Sequence, residues 1–551
     1  MFIFTAYLAK SVSPAFISFY LIAAYLSVIP LKKYSRNPSS KSQNIPHPVV
    51  FPGRKDTSSL ILLSVLLGIV YLYSLIPLFF SEFPSGGDPA FHLILIKKML
   101  LENSLPVDWQ PFAPVRINYP LGSHILVAGM SKISGVQPYQ AFKACFPLMA
   151  VLTVGLMYLL GKAFFRDRKL GVAAAFSYSF LASCGALIYY RWGGLPNMMG
   201  MLFLLSSFWT LTEMANRYSL ILAGFFMACL FMTHHHCMLM LFIIIFAFCM
   251  SGAQELVTHF KNRDYAEFTK RTFLAFLCAL LFTSFYLPAY LLGVYKIRSQ
   301  TAVFTVSEAV DDFISPLRVV SYLGPIFLFL LFYGIFLLRK RKYENKPLFW
   351  WIVSLLTVFI FFEYIYRLIA IGLYGRSVTA FTAGRFLVEL AYPFSFIAGF
   401  GLLQIVARLK PQFLKTIFII ALVLFPLPFI RNQYRVTLDP REKEAFIWIK
   451  DNTPPNALIV NNSLWMPYVS WREGTYVYLP VTEPVFHPYI ISRLILERSE
   501  PKRILAWAKR NKRPVYLYMS NVVPLPPEFL LVFSNELVRI FKVVITGKNS
   551  F

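Results

Sequence analysis

Residues 59–106 read "SLILLSVLLGIVYLYSLIPLFFSEFPSGGDPAFHLILIKKMLLENSLP". From Ser59 to Phe80 there is no charged side chain. At about 1.5 Å per residue this stretch crosses a hydrocarbon core of about 30 Å. Directly after it come Asp88, His92, Lys97, Lys98 and Glu102. A membrane span therefore hands over to an Asp-Pro-x-x-His segment at the membrane boundary.

The rest of the chain agrees with a membrane setting. Of 551 residues, 57% are hydrophobic and 14% charged, with mean hydropathy +0.59. A soluble domain would be about a quarter charged. We read about twelve spans, near 11–31, 59–80, 141–162, 170–190, 195–213, 218–235, 237–252, 273–293, 318–338, 348–370, 386–407 and 414–430. The first lacks a strongly basic start and a small-residue cleavage site, so it reads as an anchor.

Lysine and arginine fall in alternate loops. Lys32, Lys33, Arg36, Lys41, Arg54 and Lys55 follow the first span, and Lys162, Arg166, Arg168 and Lys169 the third. Arg217, then Lys261, Arg263, Lys270 and Arg271, then "RKRKYENK" (339–346), then Arg408, Lys410 and Lys415 complete the series. Basic loops face the cytoplasm. The net charge of +27 thus reads as topology and implies no nucleic-acid partner. The expectation is a multi-pass protein of the cell membrane, with both termini outside.

Three regions follow: an anchor helix and basic cytoplasmic loop (1–58), a transmembrane α-helical domain (59–430), and a small external α/β domain (431–551). In the last, "DPREKEAFIWIKDNTPP" predicts a helix, and "ALIVNN", "TYVYLP", "PVYLYMS" and "FLLVFS" predict strands. "YIISRLILERSEPKRILAWAKRNKR" predicts basic helices. Cys145, Cys184, Cys229, Cys237, Cys249 and Cys278 lie in or beside spans, so no disulfide framework is expected. Asn461-Asn462-Ser463 is a glycosylation sequon, a frequent chance match.

Under this topology the unusual polar residues gather at the outer face. Asp88 and His92 follow the second span, and Arg191 ends the fourth in "YYRWGGLPN". His234, His235 and His236 end the sixth. Glu308, Asp311 and Asp312 lie in an external loop. Glu363 with Arg367, and Arg385 with Glu389, are pairs four residues apart in late spans. Ionisable groups in a membrane are functional candidates because their burial is costly. Plainer readings stand beside this one. Asp88-Pro89 also reads as N-cap and N1 of a helix. His92 reads as a satisfied polar contact. Lys97, Lys98 and Glu102 suit an amphipathic helix on the interface. Adjacent histidines diverge by about 100°, so one of the three is a ligand sooner than all. Arg191 and Arg385 also read as snorkelling anchors, Glu308 as a loop acid, and the two pairs as mutual neutralisation.

"SGGDPAFHLILIKKMLLENSLP…NYPLGSHILVAGMSKISG" resembles the first external loop of membrane glycosyltransferases of the C superfamily, most of all the archaeal oligosaccharyltransferase catalytic subunit. "TVSE" (305–308) is similar to that subunit's Thr/Ser-x-x-Glu motif. "GRFLVELAYPF" (384–394) is similar to the Arg-bearing start of a late span. The resemblance implies transfer of a sugar from a polyprenyl (dolichyl) phosphate or diphosphate, with inversion, to a glycan, lipid or protein acceptor. It implies an essential acid in that loop, at Asp88. The chemistry then needs a base for the acceptor, read as Asp88, and cations for the leaving phosphate, read as Arg385 with Arg191 or Arg367. Asp88, Glu308 and His234 could hold a divalent cation, Mg or Mn, and a metal-independent route also stays open. His92, Glu389 and Glu363 would support the site, and membrane lipid would surround it. Two departures count against an oligosaccharyltransferase acting on protein. "RWGGLPN" offers Asn197 where that family has a second acid, and "NNSLWMPYVSWREGTYV" lacks the Trp-Trp-Asp-Tyr-Gly motif. A non-catalytic transporter or scaffold for lipid-linked sugars is the remaining alternative.

Overall fold

The computed structural model describes residues 57–213, 217–246, 263–284, 302–304, 316–340, 346–369, 377–379, 383–426, 438–474, 504–509, 513–520 and 525–544, apart from 81, 87, 111, 113–116, 118, 183, 184, 186, 235, 367, 462, 464, 506 and 507. The expected first span at 11–31 lies outside these residues, as do most of the basic helices and the "TYVYLP" strand.

The chain opens with α1 (Thr57–Phe80), α2 (Asp88–Glu102), α3 (Gly122–Ser134), α4 (Pro138–Phe165) and α5 (Arg168–Phe176). A π-helical turn, Ser177–Leu181, extends α5. Next come α6 (Ile188–Trp192), α7 (Leu195–Glu213), α8 (Arg217–Thr233) and α9 (His236–Phe246). Then follow α10 (Arg263–Thr283), α11 (Pro316–Leu323), α12 (Pro325–Lys340), α13 (Lys346–Ile360), α14 (Ala383–Arg408) and α15 (Gln412–Leu424). Among the described residues, three helices are long and apolar enough to cross a membrane by length and composition: Thr57–Pro77, Pro138–Phe165 and Phe386–Arg408.

Burial distinguishes these three. On α1, Leu60, Ile61, Leu62, Val65 and Leu72 are exposed, a face suited to lipid. By contrast, α14 is buried from Phe386 to Phe400, with α5, α12 and α13 packed around it. Close approach needs small residues where backbones meet. A Cβ on Gly399 of α14 would lie 2.5 Å from the Ala174 nitrogen of α5, and one on Gly171 of α5 would lie 2.7 Å from the Tyr158 carbonyl oxygen of α4.

Several expected spans are corrected. The stretch 170–190 is not one helix: α5 and its π turn end at Leu181, Ala182 is extended, and α6 is separate. The stretch 318–338 is two helices, parted at Gly324 with φ +85°. The span expected at 273–293 begins at Arg263, so Arg263, Lys270 and Arg271 lie in a helix and not in a loop; Arg271 donates to the Ser219 hydroxyl at 2.7 Å. Hydropathy averages over a window and does not register a single turn that changes helix type or direction.

The C-terminal region carries α16 (Pro440–Asn452), α17 (Met466–Ser470) and a five-stranded sheet. Its strands are β3 (Leu458–Val460), β4 (Glu473–Gly474), β5 (Val515–Met519), β6 (Phe529–Ser534) and β7 (Arg539–Val543), in the order β4-β3-β5-β7-β6. β3 pairs in parallel with β4 and β5, and β7 runs antiparallel to β5 and β6. Asp439 caps α16 with the reciprocal Glu442 contact of a capping box. The strand β7, "RIFKV", was not expected, because Arg539 and Lys542 interrupt its apolar pattern. Asn461 is buried and donates to the Ser463 carbonyl at 2.6 Å, so the sequon is a structural turn and not a surface acceptor. A two-stranded ribbon, β1 (Ala302–Phe304) with β2 (Ser377–Thr379), ties the loop before α11 to the loop before α14.

Candidate active site

Asp88 is the first residue of α2, with Pro89 next, and it is half-buried. A proline is well placed there because the first amides of a helix have no partner inside it. The rest of α2 is not the interfacial amphipathic helix expected. Pro89 to Ile96, Lys98 and Met99 are all buried. Lys98 reaches the Glu102 carboxylate and the Gln110 carbonyl, each at 2.5 Å. Lys97 donates to the Tyr468 carbonyl at 2.8 Å and lies 4.7 Å from the Trp471 ring centroid. Burial lowers the Lys97 ammonium to about 8, with Lys450 adding to the effect. The long stems of both lysines are packed, and their charges are spent on the C-terminal region and on the loop after α2.

The α6–α7 corner closes directly on the start of α2. Gly193, two residues after Arg191, has φ +76°. A Cβ there would strike the Pro89 ring and lie 2.9 Å from the Ser85 carbonyl oxygen. The glycine thus permits both the left-handed turn and the contact. From its other side, α6 meets α14: the Tyr189 and Tyr392 hydroxyls are 3.0 Å apart, and Tyr178 packs on Tyr392 at a centroid distance of 4.7 Å. Arg385 lies in the first turn of α14. Asp88, Arg191 and Arg385 therefore stand on three elements that touch in sequence, α2 to α6 to α14. The ribbon adds a fourth: Phe304, four residues before Glu308, pairs with Ser377, eight before Arg385. Glu308 itself lies outside the described residues.

Two buried histidine contacts border this arrangement. His92 Nδ1 lies 2.9 Å from His124 Nε2, with Tyr119 and Phe142 around the His92 ring. Burial lowers His124 to about 3, opposed weakly by a backbone bond to Pro120. One ring must then donate while the other accepts. Farther along, His236 Nε2 lies 2.9 Å from Glu389 Oε1, and both side chains are buried. Glu389 thus contacts His236, a residue that the sequence did not pair with it; the side chain of Arg385, its expected partner, lies outside the described ones. His234 Nδ1 lies 3.6 Å from Cys237 Sγ, which also reaches Asn197 Oδ1 at 3.1 Å. Neither His124 nor the pairing partners carry a local sequence signal; only chain tracing unites residues so far apart.

Arg367 lies outside the described residues, and Glu363 falls in the π-helical turn Phe361–Ile365 that follows α13. Among the described residues no three His, Cys, Asp or Glu side chains converge as a cation would need. His234 Nδ1 faces Cys237, and Glu308 lies outside the described residues. The described groups do not fit a divalent metal centre.

Solved structures share this fold. The apo oligosaccharyltransferase of Archaeoglobus fulgidus matches with TM-score 0.59 at 13% identity, over 85% of this chain and 70% of that one. The same organism's oligosaccharyltransferase with an inhibitory peptide and a dolichol-phosphate gives 0.53 at 13%, over 84% and 69%. ArnT of Cupriavidus metallidurans, apo, gives 0.51 at 12%, over 90% and 99%. The mycobacterial arabinofuranosyltransferase AftD gives 0.55 at 15%, over 88% and 40%. All are glycosyltransferases of the C superfamily, and this membrane protein has their fold. A search of curated proteins found no match. One family profile, described as "Family of unknown function (DUF6541)", matches residues 11–384.

Proposed function

The chain belongs to the DUF6541 family, and we propose that it is a glycosyltransferase using a sugar linked to a polyprenyl phosphate or diphosphate at the external membrane face. The observation that carries this reading is the contact series from α2 through α6 to α14, which gathers the elements bearing Asp88, Arg191 and Arg385. The fold of the glycosyltransferases above supports it, and so does the dolichol-phosphate bound by the archaeal oligosaccharyltransferase.

The reaction breaks the bond between the anomeric carbon and the phosphate oxygen, and forms one from that carbon to an acceptor hydroxyl. Asp88, half-buried at the start of a buried helix, takes the acceptor proton. The lipid phosphate leaves with its electron pair and its negative charge. Arg385 and Arg191, with Arg367, receive that charge; guanidinium forks pair bidentately with phosphate oxygens. Attack opposite the leaving group inverts the anomeric centre. No step is routed through a metal.

The test replaces Asp88 by Asn and by Ser. Both side chains serve helix starts as Asp does, and neither accepts a proton at neutral pH. Membrane vesicles supplied with labelled polyprenyl-phosphate sugar should show transfer falling by about 10²–10⁴ in both variants, with insertion and donor binding retained. Transfer at the wild-type rate in both would leave Asp88 as a helix start alone.

A further inference from the structure

The late helix α14 is packed on nearly every side by apolar and small residues. Ala391 and Ala398 are fully buried, Gly399 meets the backbone of α5 at Ala173 and Ala174, and Gly401 meets the backbone of α12 near Leu330 and Gly334. Lipid tails are as apolar as leucine, so apolar contact alone gives such a helix little preference for one placement, and polar contacts between helices add to it. Polar contacts help to fix such a helix. On α14 the polar contacts include the approach of Glu389 Oε1 to His236 Nε2 at 2.9 Å, an ion-pair distance, and that of the Tyr392 and Tyr189 hydroxyls at 3.0 Å. Arg385, Glu389 and Tyr392 fall at i, i+4 and i+7, one face of a helix. His236 opens α9, and Tyr189 lies on α6, two residues before Arg191.

We infer that the His236–Glu389 pair, together with the Tyr189–Tyr392 hydroxyl contact, is a positioning device that sets the rotation and height of α14, and so the placement of Arg385 relative to Arg191. The inference rests on the reading of these arginines as the grip on the donor phosphate. Neither His236 nor Glu389 touches substrate in this account. They act by holding the start of α14 against α9 and α6, so that two guanidinium groups borne on separate helices meet one phosphate. A misplacement of about 1 Å at a charge-stabilising group is enough to impair catalysis severely, which is why the anchor sits one turn from Arg385 and not at the far end of α14.

The experiment uses the purified full chain in detergent and farnesyl phosphate as the probe. Glu389→Gln and His236→Gln remove one partner each. The double variant His236→Leu/Glu389→Leu removes both at once and leaves neither of the two as a lone buried charge, so it is the variant most able to fold. Tyr392→Phe removes only the hydroxyl contact. The expected result is a cooperative melt close to wild type in the double variant, with farnesyl phosphate affinity weakened at least about tenfold, the donor KM raised and the acceptor KM unchanged. A folded double variant that binds farnesyl phosphate as wild type does overturns the inference. So does a loss of affinity that merely tracks a fall in melting temperature across the series. Should wild type bind no farnesyl phosphate, the donor reading fails instead. The positioning is then read from a cysteine at 385 (Arg385→Cys): its modification by a water-soluble thiosulfonate should change on adding His236→Leu/Glu389→Leu, and an unchanged rate overturns the inference independently.

Discussion

His124 is a histidine that the fold keeps neutral. It is fully buried, paired with His92 at 2.9 Å, and lowered to about 3 from an ordinary 6.5. An unfolded chain takes up a proton there below about 6.5, and the folded protein does so only near 3. Stability from this residue is therefore complete above 6.5 and is lost as pH falls toward 3. One unit below 6.5 the loss is about 1.4 kcal/mol. The melting temperature should fall between pH 7 and 5.5, and His124→Gln, which cannot titrate, should flatten that fall. An unchanged slope in the variant would assign the acid sensitivity to other groups. His92 was legible in the sequence as a satisfied polar contact. Its partner was not, because His124 sits in "PLGSHILV" with no spacing that marks it. The same holds for the contact of Glu389 with His236, far away in the chain; the side chain of its i−4 neighbour Arg385 lies outside the described ones.

Between elements, the decisive joint is Gly193 against Pro89. The left-handed φ of +76° and the contact with Pro89 both exclude a side chain. Gly193→Ala should cost about 2–4 kcal/mol, from the left-handed penalty and the overpacking together. It should also separate the Asp88 turn from α6. Under the proposed function, transfer falls further than the melting temperature implies; a melt and a transfer assay on one preparation check this. Wild-type values in both would show that the corner relaxes without consequence. "Gly-Gly-Leu-Pro" announces a turn and says nothing of what the turn meets. The apolar helices themselves were legible, since α1, α4, α7, α8, α14 and α15 each fall within a few residues of the expected stretch. Where reading failed, at the ends of α5 and α11, a π turn or a single glycine redirects the chain without altering its hydropathy.

At the scale of the whole molecule, the C-terminal region is fastened to the first loop. Lys443 pairs with Glu82 at 2.7 Å, Phe83 packs on Trp465 at a centroid distance of 5.1 Å, and Lys97 donates to the Tyr468 carbonyl. Parts in contact outside the lipid must share a side of the membrane, so the Asp88 turn and the C-terminal sheet lie on one side, whichever it is. From the alternating basic loops we predict that this side is external. The expectation is that Lys32 to Lys55, rich in Lys and Arg, face the opposite, cytoplasmic side. The prediction is tested with single cysteines at Ser39→Cys and Ser520→Cys, probed in intact cells with a membrane-impermeant thiol reagent. Ser520 is exposed just after β5. Labelling should occur at 520 alone, and at 39 only after the membrane is opened. Labelling at 39 alone would invert the molecule and place the Asp88 turn in the cytoplasm, where the donor sugar would have to be presented on the inner leaflet. Labelling at both would mean an odd crossing count between the anchor and the first loop is wrong, and the shared face would then stand only on the contacts from Glu82 to Lys443 and from Lys97 to Tyr468.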